Sequence, residues 1–256
     1  MLQAHSFLWN YLWVAPNIFL LVLGLIIWKR GFSRQFPAFF AFAILSAAGG
    51  LAVFLADILP SVSPENFWRV DWICLLSESF LKVLVIGEIF SRVLSPYPSV
   101  SRFGRILVSG FGAVLVLLGA LTAALSRGDS AVHLISGAHL LEQTVFMIES
   151  GLILFLFLFA AYFRLSWDRF SFGLLLGFGI SACEYLAAWA VMTNATPSVH
   201  QRTLLDLLNM GTYHICVLIW FYYLLVPREV AVKSAVLLPE NNLDVWNREL
   251  ERLVHQ

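Results

Sequence analysis

The chain has 256 residues, of which 60% are hydrophobic and only 12% are charged, and its mean hydropathy is +0.82. Soluble domains carry about 25% charged residues, so this composition excludes an ordinary soluble protein and indicates a protein of the lipid bilayer. The formal net charge is zero, which gives no indication of a nucleic-acid partner.

Apolar runs long enough to cross a bilayer recur along the chain. A transmembrane helix needs about 20 mostly apolar residues, and this rule predicts seven spans. They are about 7–28, 37–59, 67–92, 106–125, 139–163, 170–192 and 207–226. The runs are too long and too continuous for the strands of a membrane barrel. We therefore expect an all-α, polytopic membrane protein whose seven-transmembrane-helix bundle occupies residues 1–227.

Lysine and arginine residues are distributed unevenly between the predicted loops. The first and third loops carry three each and the fifth carries two, whereas the alternate loops carry one each. Loops rich in Lys and Arg stay on the cytoplasmic side. Seven spans then put the N-terminus outside and the C-terminus in the cytoplasm.

The third predicted span, 67–92, is apolar yet contains Glu78, Lys82 and Glu88. Glu78 precedes Lys82 by four residues, which is the favourable order for an ion pair on a helix. A charge at the bilayer centre costs about 2.5–3.5 kcal/mol on insertion scales, and pairing removes much of that cost. We therefore expect this helical face to point into the bundle, with Glu88 towards the cytoplasmic interface.

Further ionisable side chains lie in the fifth, sixth and seventh predicted spans. They are Glu142, Glu149, Glu184 and His214. With the N-terminus outside, these residues and Glu78 fall between the outer surface and the midplane. The fourth predicted span has no charged residue and is expected to face lipid. Two interpretations stay open: polar contacts between helices, or the lining of an outward-opening cavity that binds a ligand, proton or cation.

The sixth predicted span carries small residues at four-residue spacing, namely Gly173, Gly177 and Ser181. Small residues at this spacing let two helix backbones approach closely. We expect close packing within the bundle, with a homodimer contact as the alternative.

The tail at 228–256 contains an amphipathic segment at about 242–254. One helical face of this segment carries Leu243, Trp246, Leu250 and Leu253. Such a helix lies on the inner membrane surface, binds a membrane or cytoplasmic partner protein, or packs on the loops of the bundle.

The chain lacks residues that several known classes of membrane protein and enzyme require. Retinal proteins need a lysine in the seventh span, and 207–226 contains none; the DRY and NPxxY patterns of G-protein-coupled receptors are also missing. No HExxH, GxSxG or P-loop pattern occurs, so we expect no enzymatic activity, no catalytic residue and no metal site. We expect no cofactor, the alternative being a haem or metal near His139 and His214.

Four apolar segments and the C-terminus together carry a resemblance. They are FPAFFAF at 36–42, GLILFLFLF at 151–159, LGFG at 176–179, VLIWFYYLL at 217–225 and the closing LDVWNRELERLVHQ. This combination resembles a group of uncharacterised seven-helix integral membrane proteins of the acidobacterial type. The resemblance implies a multi-pass protein of the bacterial inner membrane. That group has no established activity, so it assigns no catalytic or binding residue.

Three functions fit these features. The first is a small sensory or receptor-like module with a polar pocket in the outer half of the bundle. The second is a structural or accessory subunit of a larger membrane complex, and the third is a proton- or ion-coupled transporter. The candidate ligand- or proton-binding residues are Glu78, Lys82, Glu142, Glu149, Glu184 and His214.

Overall fold

A computed structural model describes residues 6–94, 131–162, 168–194 and 198–225, together with the single positions Ile106, Gly110, Ala113 and Leu117. Within these ranges, the side chains of 131–143, 159, 162, 193, 194 and 199 are outside the description. The remainder of the predicted fourth span and the tail at 228–256, with its predicted helix at 242–254, lie outside the described residues.

The described residues are helical, with no strand among them. The α-helices are α1 (Phe7–Lys29), α2 (Pro37–Ile58), α3 (Pro64–Val93), α4 (Ala131–Tyr162), α5 (Arg169–Asn194) and α6 (Val199–Leu225), and a 3-10 helix at Phe32–Arg34 joins α1 to α2. Four of them, α1, α2, α5 and α6, contain stretches long and apolar enough to cross a membrane. The prediction of an all-α chain with membrane-type helices is thus confirmed for the described residues.

Helix α6 begins eight residues before the predicted span at 207–226. Ser198 and Gln201 form a capping box: the Ser198 backbone N–H donates to Gln201 Oε1 at 2.8 Å, and the Gln201 backbone N–H donates to Ser198 Oγ at 3.4 Å. The apolar rule misses this first part of the helix because Arg202 and Asp206 lie in it. Side chains of Ser6, Ser63 and Asp168 accept backbone N–H groups at the starts of α1, α3 and α5.

The six helices form a closed ring, because each packs on the helices before and after it and α6 packs on α1. Most neighbours run antiparallel, but α3 and α4 run parallel. Lys82 of α3 lies over Phe146 of α4, and Phe90 stacks on Phe155 more than two turns further along both helices. Helices α1 and α6 are parallel in the same way.

The outward faces of the ring are apolar. Large exposed side chains on these faces include Leu25, Leu45, Leu84, Leu154 and Leu218. Exposed apolar surface of this extent indicates contact with lipid or with another apolar partner. Ile106, Gly110, Ala113 and Leu117 are also helical and exposed, at spacings that put them on one helical face.

One end of the ring, here named the basic end, carries a group of cationic side chains. They are Lys29, Arg30, Arg34, Arg92 and Arg169. Inside the ring next to this end lies an aromatic core, in which rings from α2 meet rings from α5 and α6 at centroid distances of 4.8–5.8 Å. Its members are Phe36, Phe39, Phe42, Phe170, Phe178 and Trp220, all buried. These side chains fill the basic half of the ring.

Glu88 joins α3 to the first turn of α2. Its carboxylate accepts the backbone N–H groups of Ala38 at 3.4 Å and Phe39 at 3.2 Å. These amides have no intrahelical acceptor, and a negative charge at a helix N-terminus is favourable. Glu88 is therefore a structural residue of the basic half.

Two arginines add further contacts at the basic end. Arg92 donates to the Gln35 carbonyl and lies 3.9 Å above the centroid of the Phe36 ring. Arg30 donates to the Leu224 carbonyl at 3.0 Å, which connects α1 to the last turn of α6. A cation at a helix C-terminus is favourable for the same electrostatic reason.

Candidate functional site

A cavity of about 250 Å³ lies inside the ring. On every helix, its lining residues are further from the basic end than the aromatic core. All six helices contribute to it, through Asn17, Ser46, Glu78, Phe146, Ser181 and Tyr213 in chain order. The cavity therefore occupies the half of the ring in which α1 begins and α2 ends.

The ion pair predicted within the third span lies on the cavity wall. Lys82 Nζ is 3.1 Å from Glu78 Oε1, and the side chains are 9% and 32% exposed, respectively. Both residues line the cavity. The carboxylate is thus the more accessible member of the pair.

Lys82 is also held from the side of α4. Its Nζ lies 4.5 Å from the centroid of the Phe146 ring, the distance of a cation–π contact. The Phe146 ring is also stacked on Tyr185, at 3.9 Å between ring centroids. The Lys82 ammonium is therefore held against the part of the cavity wall that α4 forms.

Glu149 lies on α4, near enough to this pair to interact with it electrostatically. Its side chain is completely buried, and neither carboxyl oxygen has a hydrogen-bond partner among the described residues. The structure thus brings together three of the six candidate residues, Glu78, Lys82 and Glu149.

Two of the other candidates, Glu184 and His214, do not line the cavity in the described part of the structure. Glu184 is partly buried on α5, and its carboxyl oxygens lack a described hydrogen-bond partner. His214 faces α1, between the rings of Tyr11 and Phe19 at centroid distances of 5.8 and 5.4 Å. Glu142 lies in α4, but its side chain is outside the described residues.

The described side chains contain no group of three or more His, Cys, Asp or Glu residues that could hold a metal ion. His139, the suggested partner of His214 for a haem or metal, has its side chain outside this part of the chain. The expectation of no cofactor and no metal site stays a prediction.

Asn17 and Ser46 are site residues that the sequence reasoning did not identify. The Asn17 side-chain amide donates to the Trp13 carbonyl at 2.7 Å, which leaves its carbonyl oxygen as an acceptor. Ser46 is 6% exposed, and its hydroxyl has no hydrogen-bond partner among the described residues. Gly50 was the residue in the sequence that could have pointed to this contact, since a Cβ at Gly50 would collide with the Asn17 side chain. A small residue in an apolar helix indicates such a close approach without naming its partner.

The stripe of small residues on α5 packs against α6. A Cβ added at Gly173 would collide with Tyr223, and one at Gly177 would collide with Trp220. The Cys216 thiol donates to the Gly177 carbonyl at 3.1 Å. Ser181, the third member of the stripe, lines the cavity.

No family model, curated protein or solved structure matches this chain. The resemblance to seven-helix proteins of the acidobacterial type therefore stays a prediction, and the cavity carries the functional inference.

Proposed function

We propose that the chain is a non-enzymatic, seven-helix protein of the bacterial inner membrane that acts as a small sensory or receptor-like module. Its ligand is a small molecule bound in the cavity, and its tail helix at 242–254 contacts a partner protein. The observation that carries this proposal is the asymmetry of the ring. A cavity lined by all six described helices, with the Glu78–Lys82 ion pair on its wall, occupies one half, and an aromatic core fills the other.

Seven spans are favoured by the parallel arrangement of α3 and α4. Both helices run towards the basic end, so the chain between them has to return from the basic end to the opposite end. The predicted span at 106–125 is long enough for this return, since 20 helical residues extend about 30 Å. Its described positions, including Ile106 and Leu117, are exposed, as expected for a helix outside the ring.

The charges at the two ends support the proposed orientation. The basic end carries five described cations, whereas the opposite end carries Arg69 and Arg202. Arg69 is moreover paired with Glu65. The asymmetry supports a cytoplasmic basic end, an external N-terminus and a cavity in the outer half.

The same asymmetry favours a receptor over the alternatives. A transporter needs access to its site from both sides, and the buried rings of Phe42, Phe178 and Trp220 separate the cavity from the basic end. An accessory subunit would use its intramembrane charges as contacts between helices. Glu88 makes such a contact between α3 and α2, whereas Glu78 borders the cavity.

Cysteine accessibility tests this proposal. In a chain whose Cys74, Cys183 and Cys216 are replaced by alanine, Met210→Cys introduces a thiol at the cavity wall. Val217→Cys, two turns further along the same face of α6, introduces one in the buried core. A charged, water-soluble thiol reagent added to the outer side should modify Met210→Cys and leave Val217→Cys unmodified.

The other outcomes distinguish the alternatives. A Met210→Cys thiol that reacts from neither side contradicts a receptor and favours a sealed accessory subunit. Equal reaction rates in right-side-out and inside-out vesicles favour the transporter.

A further inference from the structure

We propose that the cavity binds a small organic cation of the ammonium class, with the Glu78 carboxylate as its counter-ion. This inference rests on the proposed function, because it assigns the chemistry of the ligand that the same cavity would hold.

The first argument is the difference in exposure within the ion pair. Glu78 is 32% exposed and Lys82 is 9% exposed, so the anion is the half that a ligand meets. Lys82 Nζ contacts Glu78 Oε1 and the Phe146 ring. The second carboxylate oxygen, Oε2, accepts no hydrogen bond from the described residues. That oxygen is available to a ligand, whereas the ammonium is directed into the wall.

The second argument is the balance of formal charge around the cavity. Glu149 is completely buried next to the pair, so two carboxyl groups share one ammonium. Electrostatic interactions are stronger in a low-dielectric interior than in water. An anionic ligand would add to this local excess of acidic groups, whereas a cationic ligand would not.

The third argument concerns the neutral groups of the wall. Trp13 and Tyr213 supply aromatic faces or edges at the cavity, and aromatic walls attract ammonium groups. Ser46, almost fully buried, has a hydroxyl with no hydrogen-bond partner in the described part of the chain. The carbonyl oxygen of the Asn17 side chain is the second neutral acceptor. The Asn17 oxygen can accept a hydrogen bond from a donor on the ligand, whereas the Ser46 hydroxyl oxygen is buried within the wall.

The fourth argument is size. A volume of about 250 Å³ corresponds to roughly eight water-sized groups. A compact cation with one hydroxyl, such as choline, fits this space, and a long-chain or polycyclic cation does not.

The test compares choline with its uncharged isostere 3,3-dimethylbutan-1-ol. Binding of each is measured by calorimetry on the full chain in lipid nanodiscs. We expect choline to bind at least tenfold more tightly than the alcohol, because the two differ in charge and hardly in shape.

Glu78→Gln should weaken choline binding by about tenfold or more. The matched control is Glu65→Gln, which removes a carboxylate from an exposed i,i+4 pair on the same helix and should leave binding unchanged.

A second variant keeps the test valid if Glu78→Gln does not fold, because that change leaves Lys82 without its partner. Glu78→Gln with Lys82→Met removes both members of the pair and should also abolish the preference for choline. Equal affinities for choline and the alcohol would overturn the cation assignment while leaving a ligand-binding cavity. Binding of propionate in place of choline would overturn it as well. Failure of all three probes overturns the assignment, and an unreactive Met210→Cys in the same nanodiscs would show that the proposed function has failed too.

Discussion

The surroundings of Lys82 stabilise a positively charged side chain. Its ammonium is almost fully buried between Glu78 and the Phe146 ring, and Glu149 lies nearby. Removing one member of a buried ion pair leaves the other charge without compensation, which is strongly destabilising. A fully buried pair loses about 3–5 kcal/mol in this way. Because the remaining Glu78 side chain is 32% exposed, Lys82→Met should lower the free energy of unfolding by less, about 2–3 kcal/mol. Denaturation in mixed detergent micelles measures this change.

The chain contains its own control for the Lys82 prediction. Arg69 and Glu65 form another i,i+4 pair on α3, but both side chains are about 60% exposed. Exposed pairs contribute about 0–1 kcal/mol, so Arg69→Met should change stability by less than roughly 0.5 kcal/mol. Equal effects of the two substitutions would contradict the view that burial makes the Lys82 pair important.

At the residue scale, the sequence predicts contacts within a helix and misses contacts between helices. The spacing of Glu78 and Lys82 is sufficient to predict their pairing, because the helix itself brings residues four apart together. Ser46 and Asn17 were not identified, because their place in the site depends on which helices are neighbours. Glu149 was identified as ionisable, but its complete burial follows from the packing of α4 on α3.

At the scale of helices, the contact between α5 and α6 depends on glycine. The Gly177 position has no room for a Cβ, since the Trp220 indole occupies the space. Overpacking of this kind costs about 1–3 kcal/mol, so Gly177→Ala should lower the melting temperature of the detergent-solubilised protein. Gly151 is the matched control, because a Cβ there meets nothing within 4 Å. Gly151→Ala should be neutral or stabilising by up to about 1 kcal/mol, through helix propensity alone.

A homodimer contact through the same stripe would give a different pattern. Gly173 and Gly177 would then face a second copy, and alanine at either position would shift the equilibrium between monomer and dimer. A Gly177→Ala protein with unchanged stability and altered mass in analytical ultracentrifugation would contradict packing within the bundle.

The junction between α2 and α3 depends on Glu88. This carboxylate accepts the Ala38 and Phe39 amides at the start of α2, and loss of a side-chain cap costs about 0.5–2 kcal/mol. Glu88→Ala should therefore destabilise the protein by about 1–2 kcal/mol and increase hydrogen exchange at these two amides. Glu65→Ala, on the exposed end of the same helix, should do neither. Unchanged exchange at Ala38 and Phe39 would contradict the capping role.

Helix ends were predicted less well than helix centres for a physical reason. The apolar rule reports the length that fits a bilayer, whereas the helix itself ends at its caps. Helix α6 begins as early as Val199 because the capping box of Ser198 and Gln201 satisfies its first amides. Glu88 shows the same limit at α2, since its acceptor role joins residues 50 positions apart and no local pattern indicates it.

For the whole molecule, the length and spacing of the apolar runs were enough to predict helices of the membrane type, but not the ring. Which helices become neighbours depends on side-chain shapes at each contact, such as Trp220 over Gly177. The cavity is a result of that arrangement: the large rings of Phe39 and Phe42 fill the basic half, and Ser46 and Gly50, further along α2, leave space in the other. A hydrophobicity profile gives similar values for both halves of α2.

The number of spans can be tested through the ends of the helices, because six and seven spans put the start of α6 on different sides. Helices α1 to α3 put Gln35 and Ser61 on opposite sides in either case. If the chain between α3 and α4 crosses the membrane, as we propose, His200 lies on the same side as Ser61. Without that crossing, His200 would lie on the side of Gln35.

In the cysteine-free chain, Gln35→Cys, Ser61→Cys and His200→Cys introduce thiols at positions that are exposed. A membrane-impermeant maleimide added to intact spheroplasts should modify Ser61→Cys and His200→Cys, and should modify Gln35→Cys only after lysis. Protection of His200→Cys in intact spheroplasts, with Ser61→Cys labelled, would contradict seven spans. Labelling of Gln35→Cys alone would indicate the reverse orientation, in which the cavity opens to the cytoplasm.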